Sequence, residues 1–320
     1  MPPWRRTAGT ADSTGCLSGE RASPTGCSRR AGRSVTLPDV GEHGAGAEPE
    51  GYDDGWDSTA RLVDGHWVER TPRRPERAAP LRREASLLPW LGPQLPVPVP
   101  RPVVVSEDPL VLRHEVIVGE PWDGHGTGIA RTVGDAVRSL HRVSATDAKR
   151  LGIPELTPEG WYDDLVGEVL PLVTEGLRQR GRWLLDRVAT YPLSSLVHGD
   201  LVADHLLVRD GHLAGIIDWS DCGVGDPALD LAWLLHETPP TTADAVARAY
   251  GVKRGMRARV LDWHALGPWH QVRHGLREGD ETVWRDGLRE VEERLPLVPD
   301  QPPPPSRVPP LGLEPRLRRF

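Results

Sequence analysis

The residues from Leu196 to Leu235, LVHGDLVADHLLVRDGHLAGIIDWSDCGVGDPALDLAWLL, restrict the fold of this chain more than any other stretch. Short apolar runs of strand length fall at Leu193 to Val197, His205 to Val208 and Leu213 to Ile217, and Asp210-Gly211 separates the last two. An Asp-Gly pair between β-prone runs marks a tight hairpin, because both turn positions require φ > 0. His198-Gly199-Asp200 is then expected in a loop entering the hairpin, with Asp218 where the returning strand ends. That arrangement brings Asp200, His205 and Asp218 to one end of a small sheet.

Two acids and an imidazole so placed suit phosphoryl transfer, which needs one carboxylate to accept the acceptor's proton and ligands that hold Mg²⁺ on the phosphates. The order is also right: a loop Asp, a metal ligand five residues on, then an Asp in the position of the kinase Asp-Phe-Gly triplet. Gly225-Asp226-Pro227-Ala228-Leu229-Asp230-Leu231-Ala232 follows. These three linked motifs resemble those of the aminoglycoside and macrolide phosphotransferases, antibiotic kinases of the protein-kinase-like fold. The resemblance implies an α+β fold of two lobes, a small antiparallel-sheet N-lobe and a mainly helical C-lobe. It implies Asp200 as the catalytic base, Asp218 and His205 as metal ligands, Mg²⁺ as cofactor and ATP or GTP as phosphate donor. Most of the family carries Asn where this chain has His205; His there is similar to the macrolide branch. Mg²⁺ prefers oxygen ligands, so His205 is either a ligand or a loop residue bonded to backbone. Asp226, ahead of a Pro and a helical run, reads as an N-cap that the family also uses to brace the catalytic loop. Asp230 reads as structural.

Bulk composition narrows the classes. The chain of 320 residues carries 34 glycines and 33 prolines, which predicts much irregular structure, and a net charge of −7. Only Lys149 and Lys253 are lysines; with that net charge, the many arginines do not argue for nucleic acid. Cys16, Cys27 and Cys222 form no disulfide framework and no metal spacing, and no apolar run has signal-peptide or membrane length. A soluble, cytoplasmic and monomeric protein is expected, with no nucleic-acid or membrane partner. From Leu151 to Val298 there are 24 acids against 15 arginines and lysines. Such a lobe attracts cationic ligands and equally serves as a solubilising surface.

Along the chain, residues 1–50 lack periodicity and are expected to be disordered, as is the Pro-rich tail 299–320. Residues 51–118 form the expected N-lobe and 119–298 the C-lobe. Asp64-Gly65 turns Ala60–Val63 into Trp67–Arg70, a second hairpin. With Gly55 and Ser58 ahead of it, this region resembles the family's turn over the nucleotide phosphates. The resemblance also implies a phosphate-gripping cation on the next strand and an acid on the following helix; as no lysine precedes Lys149, the cation is expected to be an arginine, Arg70 with Arg73 as the fallback, and the acid Glu84. The resemblance further implies that hinge backbone from His114 to Val116, Glu115 and Val116 above all, pairs with the base. Leu95–Val105 reads as a proline-stiffened extended segment before a strand at Leu110–Glu115. Helices are expected from Thr127 to Leu140 with His141 as a packed or capping residue, from Thr157 to about Thr190 with a break at Pro171, and over Thr242–Tyr250, Met256–Leu276 and Asp280–Leu295. Most tryptophans are expected in the core, one or two in a substrate groove.

The best functional expectation is a phosphotransferase moving the γ-phosphate of ATP or GTP to a hydroxyl of a small molecule such as an aminoglycoside or macrolide. The departures at Ser58, Arg70 and His205 leave a nucleotide-binding pseudokinase as the alternative. A metal-dependent hydrolase using His198, Asp200, His205 and Asp218 is the third reading.

Overall fold

The computed structural model describes residues 51–52 and 58–301. Gly55, the 1–50 extension and the tail from residue 302 lie outside the described residues. An antiparallel sheet forms the N-terminal lobe, from β1 (Gly51–Tyr52), β2 (Ser58–Val63), β3 (Trp67–Pro72), β4 (Val103–Glu107) and β5 (Leu110–Glu115), in the order β1-β2-β3-β5-β4. The β2–β3 turn is the expected one: Asp64 and Gly65 both take positive φ, 54° and 63°. Helix α1 (Ala78–Leu91) lays Leu81 on Leu110 and Leu112 of the sheet. Its later residues, Leu87, Leu88 and Leu91, join the core of the second lobe, so α1 ties the two together.

The segment read as merely extended contains a strand. Val103–Glu107 pairs with β5 around a bulge at Val104–Ser106. The prolines upstream hid it, because their missing N–H groups disqualify the preceding residues from a ladder but not the valines that follow.

Two small sheets carry the central motif. β7 (Ser195–Val197) pairs with β10 (Gly223–Gly225), and β6 (Glu120–Pro121) pairs with β8 (Leu206–Arg209), which pairs in turn with β9 (His212–Ile216). Asp210 (φ 52°) and Gly211 (φ 76°) make the β8–β9 turn, as the hairpin signal requires. Around these sheets stand α2 (Thr127–Leu140), α3 (Ala145–Arg150), the single turn α4 (Tyr162–Asp164), α5 (Glu175–Val188), α6 (Ala232–His236), α7 (Pro240–Tyr250), α8 (Arg254–Glu278) and α9 (Glu281–Arg294). The expected face of α2 is buried at Val133, Ala136, Val137 and Leu140. Leu184, Leu185, Trp269, Val272 and Val291 bind α5, α8 and α9 into a second core.

The helix expected from Thr157 is not continuous. It runs as a 3₁₀ turn, α4, a π-turn over Leu165–Val169 and another 3₁₀ turn before α5 begins at Glu175. Thr157 makes no side-chain cap to backbone. Gly160, Gly167 and Pro171 remove the propensity that would carry one helix through.

Where α2 crosses α7 the backbones meet at Gly134: a Cβ there would stand 2.6 Å from the Val246 carbonyl oxygen and 2.8 Å from the Ala249 Cβ. Gly134→Ala is therefore expected to destabilise the protein by about 1–3 kcal/mol despite alanine's better helix propensity. Guanidinium denaturation monitored by Trp fluorescence would check it; a variant as stable as the parent would show that the crossing relaxes freely.

Candidate active site

The loop leaving β7 presents His198-Gly199-Asp200. Gly199 adopts φ +85°, and a Cβ on it would lie 2.3 Å from the Asp221 carbonyl oxygen, so only glycine fits. Asp230, fully buried, holds this turn: its carboxylate accepts the backbone N–H groups of His198 at 2.8 Å and Gly199 at 3.0 Å. His141 bonds the same carboxylate through Nε2 at 2.9 Å, and its Nδ1 meets the Tyr250 hydroxyl at 2.8 Å. Bracing of the catalytic loop therefore falls to Asp230 with His141. No helix starts at Asp226, where the sequence suggested an N-cap: α6 begins only at Ala232, and Asp226 instead closes a turn on the Ala228 N–H and takes Arg259 and Trp263 Nε1.

Asp200 is 2 % exposed. Its backbone carbonyl accepts His205 Nδ1–H at 2.7 Å, while carboxylate Oδ1 is buried without a partner. Burial first, then the neighbouring Asp221 and Asp218 charges, push its pKa well above the usual carboxylate range. His198 donates from Nε2 to the Ile217 carbonyl at 3.0 Å and accepts the Asp200 N–H on Nδ1, an arrangement that sets its neutral tautomer. His205 lies between the two acids, with Nδ1 3.5 Å from Asp200 Oδ2 and Nε2 3.7 Å from Asp218 Oδ2. Both readings of His205 thus meet in one geometry: the backbone bond fixes the ring, and Nε2 points toward the second acid.

Asp218 follows β9 with positive φ, 63°, a conformation that Asp tolerates better than most residues. Its Oδ1 accepts Arg70 Nη2 at 2.9 Å and the Ser220 hydroxyl at 2.9 Å. Burial would raise its pKa, but Arg70 and then His205 overcome that and hold it below the ordinary value. Arg70 also grips both oxygens of the buried Glu84 at 2.8 and 3.1 Å through Nη1. The chain Glu84–Arg70–Asp218 therefore spans from α1 across β3 to the end of β9. Ser58 lies beneath it, its hydroxyl accepting from Arg70 at 3.2 and 3.3 Å. At the far end of the sheet, the Glu115 carbonyl accepts His114 Nδ1–H at 2.8 Å and the Val116 N–H donates to the His66 carbonyl at 2.9 Å. A carbonyl has two lone pairs, so Glu115 keeps one for another donor.

Among the described residues no three His, Cys, Asp or Glu side chains converge tightly enough to hold a metal by themselves. Asp218, with the His205 ring and the unpartnered Asp200 oxygen beside it, could hold Mg²⁺, which commonly takes one or two protein carboxylates and completes its shell with substrate phosphates and water.

Beside Gly199 opens a pocket of about 310 Å³, lined in part by Trp161, Trp233, Trp263, Asp221 and His270. Three tryptophans border it, more than composition suggested, while Trp219 and Trp269 are fully buried as expected. Asp221, three residues after Asp218, went unread because Ser-Asp-Cys has no spacing that signals chemistry.

The two-lobed architecture, an antiparallel sheet over a largely helical lobe with paired acids between them, defines a protein-kinase-like α+β fold. The chain matches the model of the phosphotransferase enzyme family over residues 48–269 and belongs to that family. It is 29 % identical over 187 residues to viomycin phosphotransferase of Streptomyces vinaceus, covering 50 % of this chain and 59 % of that one. An uncharacterised protein of Bacillus subtilis, YcbJ, is 27 % identical over 195 residues, covering 54 % of this chain and 62 % of its own. The chain thus spans about three fifths of the length of these curated relatives. Among solved structures, macrolide 2′-phosphotransferase MphH from Brachybacterium faecium superposes with a TM-score of 0.63 at 26 % identity, over 76 % of this chain and 91 % of that one. The GDP complex of aminoglycoside 2′-phosphotransferase-IIIa shares the fold at TM-score 0.68 and 24 % identity, over 82 % and 95 % of the two chains.

Proposed function

We propose that this chain transfers the terminal phosphate of ATP or GTP to a hydroxyl of a small molecule of antibiotic type, an aminoglycoside, a macrolide or a related compound. The observation that carries the reading is the buried, unpartnered Asp200 carboxylate oxygen within the His205–Asp218–Arg70–Glu84 network, with a pocket opening at Gly199. In this reading Asp200 accepts the proton of the acceptor hydroxyl as it attacks, and its raised proton affinity favours that transfer. Asp218 and His205 hold the Mg²⁺, which supplies charge neutralisation on the donor's phosphates. Arg70, fixed by Glu84 and Ser58, grips the phosphates, and Glu115 and Val116 provide the backbone beside the base. Viomycin phosphotransferase and the macrolide and aminoglycoside enzymes support an antibiotic-like acceptor.

Among the described residues no helix is long and apolar enough to cross a membrane. We place the protein in the cytoplasm as a monomer, with no nucleic-acid partner. The hydrolase reading lacks a third converging ligand among the described residues, and the presence of both Asp200 and Asp218 gives the pseudokinase reading no specific support.

The test is a coupled assay of purified protein with ATP or GTP, Mg²⁺ and a panel of aminoglycosides, macrolides and viomycin. Transfer is expected with at least one acceptor, abolished by EDTA and restored by excess Mg²⁺. Glu84→Gln should lower kcat/KM on the order of a hundredfold, because Arg70 loses the charge that fixes it. Metal-independent turnover, or full activity of Glu84→Gln, would refute the assignment.

A further inference from the structure

The turn that presents Asp200 is held by a line of side chains that runs away from the reacting atoms and ends at Tyr250. Asp230 Oδ2 accepts the His198 N–H at 2.8 Å and faces His141 Nε2 at 2.9 Å, while Oδ1 accepts the Gly199 N–H at 3.0 Å. Burial would raise the pKa of Asp230, but the His141 bond overcomes it and holds the group below the ordinary value. The carboxylate is therefore ionised and can only accept, so Nε2 must carry the proton between them. A neutral imidazole protonated there leaves a lone pair on Nδ1, and the Tyr250 hydroxyl lies 2.8 Å from that atom. Burial, and then the Asp230 and Asp226 charges, push the hydroxyl up to about 12, so it keeps its proton at neutral pH. Its place is fixed by two helices. His141 follows directly on the last residue of α2, and Tyr250 is the last residue of α7, where Arg138 of α2 donates to the Ala249 carbonyl at 2.7 Å. The close crossing at Gly134 holds these two ends together, and the His141 and Tyr250 rings meet edge-on at 5.4 Å.

We propose that Tyr250 is a positioning residue for the transfer: its hydroxyl donates to His141 Nδ1, fixes the Nε2–H tautomer, and so lets Asp230 hold the turn that carries Asp200. The inference rests on the phosphotransferase reading only for its effect on turnover. In a histidine the hydrogen bond made by one ring nitrogen sets the protonation of the other. Were the proton on Nδ1, the bare Nε2 would face an ionised oxygen 2.9 Å away, two acceptors with no proton to share. The His141 and Asp230 side chains are 4 % and 0 % exposed, so little water is at hand to mend that contact. The oxygen that loses His141 is the one that holds the His198 N–H, and the repulsion passes directly to the catalytic turn. Asp200, two residues on, then spends part of its time out of line with the acceptor hydroxyl.

The experiment compares the full-length protein with Tyr250→Phe, which keeps the ring and its edge-on contact and removes only the hydroxyl. Long-range proton–nitrogen correlation NMR in mildly alkaline buffer reads the tautomer of His141, whose signal is assigned by its absence in His141→Gln. The parent is expected to show a protonated Nε2 and a bare Nδ1, and Tyr250→Phe should populate the Nδ1–H form. Hydrogen exchange at the His198 and Gly199 amides should be at least tenfold faster in the variant, because the turn opens more often. With saturating nucleotide, kcat should fall about tenfold, the lower end of what outer hydrogen-bond partners of a site command, while KM stays within threefold. A parent with Nδ1 protonated, or a tautomer or amide exchange indifferent to Tyr250→Phe, overturns the inference and leaves the phosphotransferase reading intact. An unchanged kcat in an active enzyme overturns it as well. Should the parent phosphorylate no acceptor, the phosphotransferase reading falls, and tautomer and exchange still decide whether Tyr250 holds the turn: both shifted uphold it, either one unshifted overturns it.

Discussion

Asp200→Asn is expected to lower kcat by about three to four orders of magnitude, at the upper end of what a general base contributes. The substitution is nearly isosteric and keeps the backbone bonds that place the residue: its N–H still reaches His198 and its carbonyl still accepts from His205. What it removes is a proton acceptor and one negative charge. Burial first, and then repulsion from Asp221 and Asp218, work against that charge, which is why its proton affinity is raised. Removing it relieves repulsion, so the melting temperature should stay level or rise while turnover collapses. That opposition separates a catalytic role from a structural one, since a structural acid would lose both together. Rapid-quench single-turnover kinetics with saturating nucleotide, paired with a thermal melt, read both quantities. A kcat within tenfold of the parent would remove Asp200 from the mechanism.

Asp262→Ala is expected to cost about 3–5 kcal/mol of stability, a large share of the 5–15 kcal/mol that holds most domains. Asp262 on α8 accepts both arms of Arg187 from α5, at 2.9 and 3.0 Å, and the Tyr191 hydroxyl as well. Arg187 is 8 % exposed and also donates to the carbonyls of Pro299 and Gln301, so the pair anchors the end of the described chain. Removing the acid strands a guanidinium in a site with little water. The loss is therefore that of an uncompensated buried charge, far more than that of a surface ion pair. The double change Arg187→Met with Asp262→Leu should recover most of the loss, because it deletes both charges and fills their volume. Guanidinium denaturation curves of the three proteins decide the matter; a single variant within 1 kcal/mol of the parent would show that water reaches Arg187 after all.

Much of the site was legible as ordered motifs. Asp200, His205 and Asp218 lie at one end of a hairpin because Asp210-Gly211 permits one tight turn between two short apolar runs. The pairing of Arg70 with Glu84 was readable from their order on a strand and the next helix. Other features were not. Val103–Glu107 became a strand because β5 offered it an edge, and the prolines just upstream masked the β-prone valines at its start. Asp230 reads as structural, but the loop it serves lies 32 and 31 positions away, and only the folded chain brings the two together.

The sequence by itself determined the local conformations: two Asp-Gly hairpins and the buried stripe of α2. Each follows from steric limits on φ or from periodic apolar spacing, which act over a few residues. Only the tertiary structure decided which distant charges meet. Arg70 reaches Asp218 across 148 positions and His141 reaches Asp230 across 89. The pocket walls come from segments as remote as Trp161 and His270. Those meetings depend on how helices and sheets pack, where an ångström of displacement makes or breaks a hydrogen bond, and no spacing along the chain encodes that distance.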